Sequence, residues 1–531
     1  MNKRFLIPFI FCFIYLGSCL AQGKYKSEIT ILPEESWWGG LVALGSQMPF
    51  EGQIRLFDLS SMNLNNQGVP LMLSSQGRYI WSDKPFAFKV ENGILYLFSD
   101  EKKLEPVIGG KTLKEAYLAA SAAHFSPSGN LPDPLLFSMP QYNTWIELMY
   151  NQNQKDILAY AENVKKNGFP TGVFMVDDNW QKYYGNFEFK PDRFPDPKGM
   201  IKQLHADGFK IMFWICPFVS PDSPEFRFLQ GKGFLIKEKK RGSPAIIPWW
   251  NGYSACYDLS NPEAAVYFKS VLKKMQKEYG VDGFKFDAGD VEHYQGNYEF
   301  YDKRATSVDM CENWAKIGLE FPFNEYRAGW KMGGQALVQR LGDKNYSWNA
   351  VKLLIPDMVA AGLLGHLYTC PDMIGGGQFG SFLGVDQTKL DQKLIVRSCQ
   401  VHALMPMMQF SVAPWRILNE ENLAICRKYA HLHEKMGEYI LELAKHAAQT
   451  GEPIVRHMEY SFPHQGFATC KDQFMLGDRY LVAPVVTPDD KRIVKLPKGT
   501  WKDDEGKKFK GPKVIEIEVP LERLPYYEKI K

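Results

Sequence analysis

Cysteine is scarce in this chain, nine in 531 residues, and no C-x-x-C pair occurs. Cys12 and Cys19 fall in the N-terminal leader, and Cys216, Cys256, Cys311, Cys370, Cys399, Cys426 and Cys470 are scattered singly. An odd, dispersed set argues against a disulfide framework and a structural zinc site, and reads as small buried core residues. Excess charge is also missing: 63 basic against 60 acidic residues leave a formal +3. No basic stripe follows from that balance, so nucleic acid is excluded as a partner. No segment beyond the N-terminus approaches 18 uninterrupted apolar residues, so no transmembrane span is expected. Histidine is sparse and H-E-x-x-H and an EF-hand loop are absent, so a metal-dependent hydrolase is disfavoured. No cofactor is implied, and nothing specifies an oligomer.

The N-terminus carries the one short apolar run. Lys3-Arg4 precedes Phe5 to Leu16, about twelve residues, the length of a signal-peptide core and too short for a bilayer. Residues 1–21 read as a secretory signal cleaved before Gln22, which predicts an exported protein. Leu16-Gly17-Ser18-Cys19 also fits a lipoprotein site, which would leave a lipid anchor on Cys19.

What is present is aromatic: 14% of the chain, with 13 Trp and 26 Tyr, suited equally to stacking on sugars and to a large core. A chain this long exceeds a single core. Strand spacing at Ile54–Phe57, Phe86–Val90 and Ile94–Phe98, the last two flanking an Asn92-Gly93 turn, predicts a β-sandwich over 22–134. Trp37-Trp38 reads as a core pair rather than a rim aromatic. Residues 135–450 alternate short apolar strands (Gly172–Val176, Lys210–Ile215, Gly283–Phe286) with helical stretches (Asp156–Asn167, Pro262–Tyr279). Such alternation means a parallel sheet covered on both faces, and its length predicts a (β/α)₈ TIM barrel. An amphipathic helix over Asn422–Gln449 precedes renewed β signals at Tyr480–Val486 and Val514–Val519, so 451–531 reads as a C-terminal β domain. The fold class is α/β.

In such a barrel chemistry sits past the C-terminal strand ends. Gly283-Phe284-Lys285-Phe286-Asp287-Ala288-Gly289-Asp290 places a carboxylate there. Alternation puts Lys285 on the same side as Asp287, where an ammonium keeps a nucleophile ionised. A buried ion pair bracing the strand end explains the same spacing.

This segment resembles the nucleophile motif F-K-x-D-x-G-[ED] of glycoside hydrolase family 31. Four further stretches resemble that family in order: Asn186–Met200, Gly208–Pro217, Asp372–Gly376, and Leu476–Val485 with Leu496–Trp501. The resemblance implies a retaining α-glycosidase acting on an oligosaccharide or other glycoside, with Asp287 as nucleophile. Retention needs a second, protonated carboxyl. Gly342-Asp343 resembles the family's acid/base segment, although spacing alone reads Asp343 as a turn aspartate. A neighbouring carboxylate and a sugar in the pocket would keep Asp343 protonated. The family further implies sugar contacts from Asp177 or Asp178, Trp180, Trp214, Lys285, Arg327 and Asp372. Families 27 and 36 share the barrel and a K-x-D strand, but the Phe194–Pro197 loop and the C-terminal β region favour family 31. A glycan-binding barrel without catalysis would lack Asp287 or Asp343, and both are present.

Two positions depart from the family pattern. Pro371 stands where glucosidases and xylosidases carry a pocket histidine, and Arg340 replaces the aromatic before the G-D. The Cys370–Gly376 form resembles a subgroup that includes α-galactosidases. An α-galactoside is therefore the expected substrate, with an α-glucoside or α-xyloside next.

Overall fold

The computed structural model describes residues 23–386 and 389–531. The signal read at 1–21, with Cys19, lies outside the described residues. Eight parallel strands form the centre: β1 (Gln141–Asn143), β2 (Val173–Val176), β3 (Lys210–Ile215), β4 (Gly283–Phe286), β5 (Phe323–Tyr326), β6 (Val338–Arg340), β7 (Tyr368–Cys370) and β8 (Gln409–Phe410). They are hydrogen-bonded in the order β7-β6-β5-β4-β3-β2-β1-β8. A single parallel bridge, Met373 to Gln409, joins the two ends. The result is a nearly closed TIM barrel, as the alternation predicts.

Helices are set by local chemistry at the expected places. Asn261 caps the helix Pro262–Tyr279 by accepting from Glu263 N, proline occupies its first turn, and Gly280 ends it at φ 83°. Such ends satisfy orphan backbone groups and fix where the chain turns back into β4. Gly283 opens β4 because a Cβ there would lie 2.0 Å from the Phe323 carbonyl oxygen on β5. The helix expected over Asn422–Gln449 runs Glu420–Thr450, capped by Asn419.

The N-terminal region forms two sheets, one of four strands (Tyr25–Thr30, Ile54–Asp58, Ala87–Glu91, Ile94–Ser99) and one built around Gln67–Ser74. Asn92 and Gly93 both take positive φ, 52° and 73°, as a tight hairpin turn requires. Trp37 and Trp38 are core residues. The reading of 22–134 as a β-sandwich is corrected at Leu113–His124, an α-helix capped by Thr112, whose five alanines carry high helix propensity. The second sheet also takes in Gly329–Trp330 from the β5–β6 connection, parallel to Gln67 and Gly68.

The C-terminal sheet has six strands, dominated by the hairpin Lys491–Asp503/Lys508–Glu518. The strand expected over Tyr480–Val486 stops at Val482, since Pro484 has no N–H for a ladder. Cys216, Cys256, Cys311, Cys370, Cys399, Cys426 and Cys470 are all buried. No helix among the described residues is long and apolar enough to cross a membrane.

Candidate active site

The barrel's C-terminal rim opens into a cavity of about 850 Å³, within the range of small-molecule sites. Asp287, the first residue past β4, stands in its wall. Its Oδ1 accepts from Arg327 Nε at 2.9 Å and from Ala288 N at 2.8 Å, and its Oδ2 from Trp214 Nε1 at 2.9 Å. Burial alone would raise this carboxyl, but the Arg327, Lys285 and Arg340 cations and the Trp214 N–H outweigh it and hold Asp287 well below the usual carboxylate range. Arg327, just past β5, is fixed by Asp290 through Nη1 at 2.9 Å and Nη2 at 2.7 Å, and by the Asn65 carbonyl at 2.7 Å. Ala288 adopts φ 57°, a left-handed conformation costly for a residue with a Cβ. Strain of that kind concentrates where a side chain must be aimed.

Lys285 does not bond Asp287, so the alternative of an ion pair between these two residues does not hold. Its Nζ meets Asp177 Oδ2 at 2.6 Å, both side chains buried, because the barrel places β2 and β4 on either side of β3. Its charge still reaches Asp287.

The two aspartates that the sequence could not separate both line the cavity. Asp177 is the ion-paired one. Asp178 accepts from Asn251 Nδ2 at 2.8 Å and from Tyr184 Oη at 3.1 Å. Burial, then the neighbouring Asp177 charge, push its carboxyl up to about 7 against those hydrogen bonds.

Trp214, Arg327 and Asp343 also line the cavity. Asp343 follows β6 with a side chain 31% exposed, its Oδ1 accepting from Arg340 Nη1 at 2.8 Å. Two expected contacts are corrected. Trp180 is fully buried, its Nε1 donating to the Trp214 carbonyl at 2.8 Å and its ring packed on Phe189 and Phe213. It supports Trp214 from behind. Asp372 is likewise fully buried and accepts from Arg340 Nη1 at 2.6 Å, Lys344 N at 2.8 Å and Gly377 N at 3.1 Å. It ties two rim loops together.

Other lining residues went unread. Trp250 and Asn251 form the tip of the hairpin Ile247–Trp249/Gly252–Cys256, which the Asn251-Gly252 turn signal could have disclosed. Trp250 lies over the Arg327 guanidinium, 5.3 Å from ring centroid to carbon. Tyr150 donates to Asn251 Oδ1 at 2.8 Å. Asn65 and Asn66 reach the cavity from the N-terminal sandwich, and no local pattern marks them.

A (β/α)₈ barrel with an ionised, donor-clasped carboxylate and a second carboxyl in one rim cavity has the architecture of carbohydrate-active hydrolases. Comparison with known proteins narrows that class. Residues 134–443 match the glycosyl hydrolases family 31 TIM-barrel domain, and residues 451–530 match the family 31 C-terminal domain. The chain belongs to glycoside hydrolase family 31. It is 30% identical over 415 residues to the mouse myogenesis-regulating glycosidase, covering 76% of this chain and 58% of that protein. An Emericella nidulans α-xylosidase is 25% identical over 475 residues, covering 85% and 58%. The chain thus spans under two thirds of the length of these relatives. A family 31 dextranase from Flavobacterium johnsoniae, solved with glucose, superposes with TM-score 0.83 at 21% identity over 96% of this chain and 66% of that one.

Proposed function

We propose that the protein is a retaining, exo-acting α-glycosidase that removes terminal α-galactosyl residues, with Asp287 as nucleophile and Asp343 as acid/base. The observation that carries this reading is that both carboxyls line one rim cavity, and that Asp287 is clasped by Arg327 and Trp214 and held ionised. An ionised carboxylate attacks the anomeric carbon while Asp343 passes its proton to the departing oxygen. Asp343, now ionised, then takes a proton from the water that releases the sugar from Asp287, and two inversions leave the α-configuration. Asp177, Asp178, Lys285 and Asn251 concentrate polar groups on one side of the cavity, which supports a glycone with several hydroxyls to bind. Pro371, without a hydrogen-bonding side chain where xylosidases and glucosidases carry histidine, favours the galactosyl reading.

The test is a panel of aryl α- and β-glycosides with NMR of the first-formed sugar. We expect α-galactosides to react fastest, β-anomers to be untouched, and the α-anomer to appear first. A kcat/KM more than about tenfold higher on an α-glucoside or α-xyloside, some 1.4 kcal/mol in transition-state binding, would reverse the glycone assignment. First appearance of the β-anomer would exclude retention. The 25%-identical relatives named as α-xylosidases make the xyloside the most informative competitor.

A further inference from the structure

Arg340, the last residue of β6, is 1% exposed. Its Nη1 donates to Asp343 Oδ1 at 2.8 Å, to Asp372 Oδ1 at 2.6 Å and to the Leu341 carbonyl at 3.0 Å. Its Nε lies 3.2 Å from Glu325 Oε1 on β5. One buried guanidinium therefore faces three carboxyls from three strand ends. The arrangement is closely packed: a Cβ on Gly377 would come within 2.9 Å of Asp372 Oδ1 and 3.3 Å of Asp343 Oδ1. The other charged groups around it are Asp177, Lys285 and Asp287 from β2 and β4, Arg327 after β5, and Lys344, whose ammonium is taken by Asp357 at 2.5 Å.

This geometry bears on a difficulty in the chemistry. A guanidinium hydrogen bond favours the ionised carboxylate, yet a general acid must start protonated. Nη1 resolves the conflict because it has a second acceptor already in contact. Burial, and then the nearby Asp343 charge, push the Asp372 carboxyl up against the opposing Arg340 cation, and burial pushes Glu325 up. Three carboxyls compete for this one guanidinium, so Asp343 does not hold Nη1 alone.

We propose that Arg340 is the positioning residue for the acid/base, its Nη1 alternating between Asp343 and Asp372 as Asp343 loses and regains its proton. When Asp343 gives its proton to the departing oxygen, the new carboxylate gains the full Nη1 bond. When Asp343 takes a proton from the attacking water, Nη1 returns to Asp372. The inference rests on the reading of Asp343 as acid/base.

The test compares wild type, Arg340→Lys and Arg340→Met on two glycosides of the preferred sugar. One has a dinitrophenyl leaving group that departs without a proton, and the other a methyl group that needs one. In Arg340→Met the acid loses the cation that favours its ionised form, so the alkaline limb of kcat/KM should move up by about one pH unit or more. Arg340→Lys keeps the charge but not the two-acceptor reach. Its alkaline limb should stay in place, while kcat/KM on the methyl glycoside falls by about tenfold or more and on the dinitrophenyl glycoside by less than about threefold. Equal losses on both substrates with an unmoved limb would mean a merely structural arginine and overturn the proposal. Should Arg340→Met not fold, the leaving-group comparison in Arg340→Lys decides alone. A wild-type enzyme inactive on every glycoside would instead sink the functional reading itself, a result separable from either outcome above.

Discussion

Asp287 and Asp343 differ most in their surroundings: the first is clasped by three donors in a buried wall, the second meets Arg340 and is about a third exposed. That contrast predicts different chemical rescue. Asp287→Ala should lose nearly all turnover on every substrate, and any azide-restored product should be the inverted β-glycosyl azide. Asp343→Ala should still form the glycosyl-enzyme from a dinitrophenyl glycoside while losing roughly 10²–10⁴-fold on substrates that need a proton. Azide should then give the retained α-glycosyl azide. NMR of the two azides checks this, and swapped anomers would reverse the roles. Most of these side chains were legible because they follow apolar strands, where chain direction alone delivers them to the rim. Trp180 and Asp372 are both fully buried off the cavity wall, each at or beside a left-handed backbone position. The chain takes φ 78° at Asn179, just before Trp180, and φ 78° at Asp372 itself. A left-handed residue that is not glycine redirects the following backbone, and nothing in the sequence announces it.

Among elements, the most consequential is also among the shortest. Gly329–Trp330 leaves the barrel between β5 and β6 and pairs in parallel with Gln67 and Gly68 of the N-terminal sandwich. Gln67, fully buried, donates through Nε2 to the carbonyls of Arg327 at 2.5 Å and of Arg340 at 2.9 Å. One amide thus fastens the backbone of Arg327, which clasps Asp287, and of Arg340, which holds Asp343. Gln67→Leu would bury two carbonyls without that donor, so we expect a loss of about 1–3 kcal/mol, read as a lower denaturant midpoint. Because Arg327 would also lose its fixed position, kcat/KM should fall by more than about tenfold, through kcat more than KM. Unchanged kinetics in the folded variant would show that the sandwich braces the fold without tuning the site. A two-residue strand has no periodicity, and its partner lies some 260 residues away, so this connection could not be read from pattern. The long helices and apolar barrel strands could be, since their periodicity and caps are local.

Across the whole molecule, four fully buried histidines contribute to the response to acid. His366 is held down to about 3 by burial, and His402 to about 3 by burial and then by the His433 charge. Burial also depresses His433, against the Ala403 carbonyl, and His457, with help from Lys471, each to about 4. His457 meets Trp38 edge-on at 5.4 Å, so the C-terminal and N-terminal regions share one of these sites. A histidine with a depressed folded pKa contributes stability that is present above about 6.5 and lost as pH falls towards the folded value. Asp178, raised to about 7, and Asp372, raised, act in the opposite sense: their contribution is present at low pH and fades as pH rises through the folded values. Burial also raises Asp258, Glu292, Glu325, Asp357 and Glu459, so carboxyl protons released on unfolding offset part of what the histidines take up, each depressed histidine by itself costing about 1.4 kcal/mol per pH unit between its unfolded and folded values. His366 isolates one histidine's share, since neither ring nitrogen has a hydrogen-bond partner among the described residues. His366→Leu should leave stability at pH 7 unchanged or higher and flatten the acid slope by about one proton, about 1.4 kcal/mol per pH unit. A slope identical to wild type would mean that His366 charges in the folded protein and that burial does not govern its titration.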